Sequence, residues 1–192
     1  VAAERLDDRE GAIDIYEQAF EDNPRDEVAS QALRELYEKL ERYEDMLRFT
    51  ERLIDLCDDV DAKAELRLES ARICIDILGA PSEGIAHLNA VLDEVPGHQG
   101  AVEQLAKLLE KEERDDELAD LLAKQIDLAR AAADTKFELG YRVKLSELYE
   151  TRLNDRDKAI EGYNAVLEAD RSFRPALEAL QAELRAAGQP VG

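Results

Sequence analysis

The chain has 192 residues, 45% hydrophobic and 37% charged, with 46 Asp plus Glu against 25 Lys plus Arg and a net charge of −21. That is too apolar for a disordered chain of this charge and too charged for a membrane protein, and the negative field disfavours contact with nucleic acid or anionic lipid. An aromatic share of 5%, no Trp, 9 Gly and 5 Pro suit helices built on Leu, Ile, Ala and Val rather than a β-sandwich.

Residues 1–6 read as the tail of a helix. Leu6-Asp7-Asp8-Arg9-Glu10 lines up with Leu78-Gly79-Ala80-Pro81-Ser82 and Leu153-Asn154-Asp155-Arg156-Asp157, at spacings of 72 and 75. The chain is therefore expected to begin inside a repeat, as a fragment of a longer array. Ala12, Ile13, Tyr16, Ala19 and Phe20 form an i, i+3/4, i+7 stripe that ends at Asn23-Pro24. A second helix is predicted over about 26–41, with Ala29, Leu33, Leu36, Tyr37 and Leu40 on its apolar face. A third carries Met46, Leu47, Phe49, Leu53, Ile54 and Leu56. Acids at Asp58-Asp59-Val60-Asp61 cap a longer fourth helix reaching about Leu78.

Gly79-Ala80-Pro81-Ser82 is a stop followed by a start. Helices follow at about 82–95, 98–113 and 115–131. A long one opens at Asp134, two more run over about 156–169 and 172–187, and Ala187-Gly188-Gln189-Pro190 closes the array. Ten helices joined by short links pack antiparallel. Asn-Ala-Val-Leu recurs unchanged at 89–92 and 164–167, and Ile54-Asp55-Leu56 returns as Ile126-Asp127-Leu128. Self-similarity at a fixed period marks a repeat architecture. The sequence reads as one domain over 1–192, with long and short helical pairs alternating in a super-repeat of four helices.

The pattern reaches a family. Leu33-Arg34-Glu35-Leu36-Tyr37, Ala71-Arg72-Ile73-Cys74, Leu105-Ala106-Lys107-Leu108-Leu109 and Leu145-Ser146-Glu147-Leu148-Tyr149 match the first-helix signature of tetratricopeptide (TPR) repeats. Ala12, Tyr16 and Pro24, then Gly84, Leu88 and Pro96, then Ala159, Tyr163 and Arg171 match the second. The chain resembles that family over essentially its whole length, and its alternating pairs look like large repeat proteins of myxobacteria and their relatives. The resemblance implies an α-solenoid, a right-handed superhelix of about five TPR-like hairpins. Arg34 and Gln181 depart from the pattern where a small residue is usual, Met46 and Leu118 where Ala is usual, and Arg171 where Pro is usual. The physical reading stands beside the name. Small residues at 71, 106 and 146 let two helices approach, and Ala12, Gly84 and Ala159 do the same at the other crossing.

Catalytic constellations are thin. His87 and His98 have no patterned nucleophile, and His98 after Pro96-Gly97 reads as helix-start chemistry. Cys57 and Cys74 form no metal or redox motif, and Cys74 reads as packing. The run at Asp55–Asp61 lacks the Gly and the closing Glu of a calcium loop. No enzyme, cofactor or metal is expected, and with no signal peptide or long apolar run the expected compartment is the cytoplasm.

What remains is a surface. Gln31, Glu35, Glu38, Arg72, Glu103, Lys107, Glu110, Glu147, Glu150 and Glu178 are the expected concave-face residues for a protein or peptide partner. That face is mostly acidic, so a basic or mixed peptide or protein surface is expected there, with a solvated acidic face as the plain alternative. Residues 1–96 hold 26 acids and 11 bases, net −15, against 20 and 14, net −6, for the rest, so a basic partner is steered toward the first half. Two other expectations stand beside this interaction scaffold: a self-associating structural element, and a regulatory arm of an enzyme whose catalytic part lies elsewhere.

Overall fold

The computed structural model describes residues 2–186, with side chains described from 8 to 182. The described residues form ten α-helices and no strand: α1 Ala2–Asp22, α2 Glu27–Lys39, α3 Tyr43–Leu56, α4 Val60–Arg72, α5 Pro81–Glu94, α6 Gln99–Lys111, α7 Asp115–Ala131, α8 Thr135–Thr151, α9 Arg156–Ala169 and α10 Arg174–Ala186. A π-helical turn, Ile73–Ile77, continues α4. The chain divides between Val95 and Pro96 into two compact units of five helices each. The expected closing segment at 187–190 lies outside the described residues.

The turns carry the repeat in the backbone itself. Glu41 (φ 55°) and Glu113 (φ 54°) stand 72 residues apart, each in the left-handed region. The following N–H closes the helix end, Arg42 N donating to Tyr37 O at 2.8 Å and Arg114 N to Leu109 O at 2.9 Å. Gly79 (φ 63°) and Asn154 (φ 53°) repeat the device 75 apart. Ala80 N donates to Cys74 O at 2.8 Å and Asp155 N to Tyr149 O at 2.9 Å. Such left-handed closures satisfy carbonyls that a helix end otherwise leaves unpaired. Side-chain caps open the next helices. Asp26, Asp59, Asp134 and Asp155 accept from backbone N–H groups, and His98 Nδ1 accepts from Ala101 N at 3.2 Å.

One expected turn is missing. The chain is helical without interruption from Ala2 to Asp22, so no break falls at residues 6–10. Asp7 stands where the later copies have Gly79 and Asn154, and no Pro follows to start a new helix. With neither signal, the helix runs through.

In the first unit Ile13 and Phe20 of α1, Leu33 and Tyr37 of α2, and Met46 and Phe49 of α3 form the core with Ile73. Phe20 meets Phe49 edge to face, with ring centroids 4.9 Å apart. The Tyr37 hydroxyl donates to Glu17 at 2.5 Å, and burial with this anion pushes the phenol up. In the second unit Leu139, Val143, Ala159, Tyr163, Val166 and Ala176 fill the core of α8–α10. Leu56, expected on the apolar face of the third helix, is 45% exposed, and Leu92 is only half-buried beside the sealed Val91.

Close crossings use the small residues. A Cβ at Gly84 would lie 2.4 Å from Ile75 Cγ1 and 3.4 Å from the Ala71 carbonyl. In the second unit Ser146 stands at the place of Ala71, and a Cβ at Gly162 would lie 2.1 Å from its Oγ. The pairing survives although the glycine has moved one turn.

Gly84→Ala is expected to destabilise by about 1–3 kcal/mol because Ile75 must leave its place. Gly11→Ala, in an exposed helix interior with nothing within 4 Å, should stabilise by up to about 1 kcal/mol. Urea denaturation of the two variants checks the opposite signs. Leu148→Ala, at a side chain 5% exposed, should cost about 2–5 kcal/mol, and Leu92→Ala clearly less in the same measurement.

Candidate functional site

The second unit contains a groove of 820 Å³ between α6, α7 and α8. Helical periodicity builds it. On α6, Glu103, Lys107 and Glu110 fall at i, i+4 and i+7 along one wall, with Val102 and Ala106 beneath them. Leu118 and Leu122 of α7 and Leu148 of α8 continue the apolar floor. The first half of α8 supplies Lys136, Phe137, Gly140, Tyr141 and Lys144.

Phe137 is 43% exposed, and its ring stacks on Tyr141 at 6.2 Å between centroids and 27° between planes. Lys144 Nζ sits 5.9 Å from the Tyr141 centroid, within cation–π range. Burial, then the charge of Glu103, pushes the Tyr141 phenol up. Burial and then Glu150 also raise the Glu147 carboxyl, against the pull of Lys144. Arg152 closes the far end: both terminal nitrogens donate to the Glu110 carbonyl at 3.2 Å, and Nε lies 2.9 Å from Asp115. The lining therefore holds three carboxylates (Glu103, Glu110, Glu147) and four cations (Lys107, Lys136, Lys144, Arg152).

The first unit has the equivalent place, and it is nearly shut. Gln31, Glu35, Glu38 and Met46 border a space of only 220 Å³. Arg34, where the second unit has Ala106, extends across it and pairs with Glu69, where the second unit has Lys144. A side chain that departs from the repeat pattern thus occupies the place where the second unit has its groove.

The ten expected residues separate accordingly. Gln31, Glu35 and Glu38 border the small space of the first unit, where Glu35 is already engaged by Gln31 and Lys39, each at 3.3 Å, which holds its carboxyl below the ordinary value. Glu103, Lys107, Glu110 and Glu147 come together in the open groove. Arg72 and Glu178 are exposed but line neither place. Glu150 is half-buried and accepts the Tyr163 hydroxyl at 2.8 Å, a packing contact. Sequence reasoning missed Lys136, Phe137, Tyr141, Lys144 and Arg152. The signal was present in an aromatic pair at i and i+4, where the preceding copy has Ala62 and Leu66.

Four of the five left-handed turns pair between the two units, Glu41 with Glu113 and Gly79 with Asn154, and small residues mark a close crossing in each. The chain is an all-α helical repeat. Several solved structures are similar to it. MamA is 18% identical and the match covers 79% of this chain and 82% of MamA, with a TM-score of 0.49. YrrB, described as a TPR protein with an unusual peptide-binding site, is 16% identical over 93% and 86%, with a TM-score of 0.46. TTC0263, a thermophilic TPR protein of Thermus thermophilus, is 20% identical over 96% and 94%, with a TM-score of 0.42. No protein-family profile and no curated protein sequence matches the chain.

Outside the groove, the first unit gathers Cys74, Glu83 and His87 near Glu51 and Arg67. Cys74 is buried 3.9 Å from Glu83, and burial pushes its thiol up to about 11. Among the described residues no three His, Cys, Asp or Glu side chains form a metal-holding group, and no helix is long and apolar enough to cross a membrane.

Burial holds the His87 imidazole below its ordinary value, with Arg67 adding to the effect and Glu51 and Glu83 opposing it. As pH falls through about 6.5, the unfolded chain takes up a proton there that the folded chain resists, so stability is lost. Urea midpoints at pH 7.5 and 5.5 should fall more for the wild type than for His87→Gln.

Proposed function

We propose that this chain is a non-catalytic interaction module whose two units act as one repeat array and whose α6–α8 groove holds an extended segment of a partner protein. The observation that carries this reading is an open groove with an apolar floor, a half-exposed stacked aromatic pair and a rim of charges. Concave sites with an apolar bed and few orienting polar groups are the usual form of a binding pocket. The peptide-binding site ascribed to YrrB, a protein similar in fold, agrees with the reading without adding to its weight.

Of the basic or mixed partner expected, this groove favours the mixed form, because its own lining is mixed in sign. A basic partner fits the first unit better, beside Glu35, Glu38 and Glu69, where a space of 220 Å³ adjoins one of 430 Å³ bordered by Glu27, Gln31 and Glu35. Free Cys57 and Cys74 suit a reducing compartment such as the cytoplasm.

Copying the first unit's closure into the second tests the proposal. Ala106→Arg with Lys144→Glu should fill the groove while leaving the thermal melt nearly unchanged. Peptides selected from a random library on the wild-type chain should lose at least about tenfold in affinity for this variant, equivalent to about 1.4 kcal/mol. Unaltered affinity would remove the groove from the function. A solution mass above monomer that is insensitive to the same variant would favour the self-associating element instead.

A further inference from the structure

Resting on the reading of α6–α8 as a peptide groove, we infer that its partner segment is acidic and carries an aromatic or large aliphatic side chain that packs on Phe137 and Tyr141. The two units differ in charge at corresponding positions. Lys107 stands where the first unit has Glu35, Lys136 where it has Asp61, and Lys144 where it has Glu69. Three reversals from acid to base, against one from base to acid (Arg72 to Glu147), fall around one groove, in a chain whose net charge is −21.

Two apolar changes accompany them. Ala62 becomes Phe137 and Leu66 becomes Tyr141, which places a stacked ring pair between Lys136 and Lys144. Gly140 leaves the neighbouring wall open, since a Cβ there would meet nothing within 4 Å.

The three lysines are also available. Among the described residues none has a carboxylate within 4 Å, whereas Arg152 is held by Asp115 and the Glu110 carbonyl. Ammonium groups without a carboxylate partner, on both sides of an exposed ring pair, complement carboxylates flanking an apolar anchor. The anchor displaces water from the floor, and the flanking charges fix orientation and speed encounter. Glu110 and Glu147 at the other end of α6 and α8 set the direction, because a segment acidic along its whole length meets repulsion there.

The test uses the whole chain and three short fluorescein-labelled peptides: one with Asp and Glu on both sides of a single Phe, one with Lys replacing those acids, and one with Ala replacing the Phe. Fluorescence polarisation at low salt should show the acidic–aromatic peptide binding at least ~10-fold more tightly than either of the others, with the margin over the Lys peptide shrinking as salt screens exposed charges. Lys107→Glu with Lys136→Glu, both at exposed positions, should keep its thermal melt and reverse the order of the acidic and Lys peptides. Preference for the Lys peptide by the wild type, lost in the Ala106→Arg, Lys144→Glu chain, overturns the acidic-partner inference and leaves the groove as a peptide site. Absence of binding by all three peptides overturns both.

Discussion

The fold depends on reversing a helix within three or four residues, the length of each link between successive helices. A helix end exposes carbonyls that must find donors, and a short link has few to offer. At five of the nine links among the described residues the chain meets this by bending one residue into the left-handed region so that the next N–H reaches back into the last turn. Glu41, Gly79, Glu113, Ala133 and Asn154 are all such residues. Four of the five carry a Cβ and accept a strain of roughly 1–2 kcal/mol to do so. The antiparallel hairpins and the wall of the open groove follow from where these bends fall.

Much of this was legible because turns and crossings are written in local chemistry. Pro81 and Gly79 announce one helix boundary, Asp134 and Asp155 announce two others, and Ala71 and Gly84 mark a close crossing by their size. Legibility failed where a signal had to be absent rather than present. The alignment of Leu6–Glu10 with later turns suggested a break, yet Asp7 lacks what makes Gly79 and Asn154 bend. Leu56 and Leu92 share the helical period of the core but sit at the edge of their stripes, and a period of 3.6 does not say how wide the buried arc is.

The candidate site was half legible for a similar reason. The α6 residues Glu103, Lys107 and Glu110 were found by periodicity, because a stripe on one helix needs only one helix to be seen. The opposite wall was missed, since which turn of α8 faces α6 depends on how both pack on α7, which the period of one helix does not carry. Attention to acidic residues also hid the lysines among them. The groove's sign is a local property, and a net charge of −21 summed over the chain does not report it.

Arg34 has a consequence for how such a molecule could change. The Arg34–Glu69 pair lies across a cleft framed by helices that correspond to those of its open counterpart, whose lining also differs at Lys107, Lys136, Phe137 and Tyr141. Recognition capacity thus turns on a handful of side chains carried by a shared helical frame. A tandem array built this way can raise its valency by point substitution, with no helix added. Since linked sites multiply apparent affinity through effective concentration, opening one repeat would alter avidity far more than the chemistry of a few residues suggests.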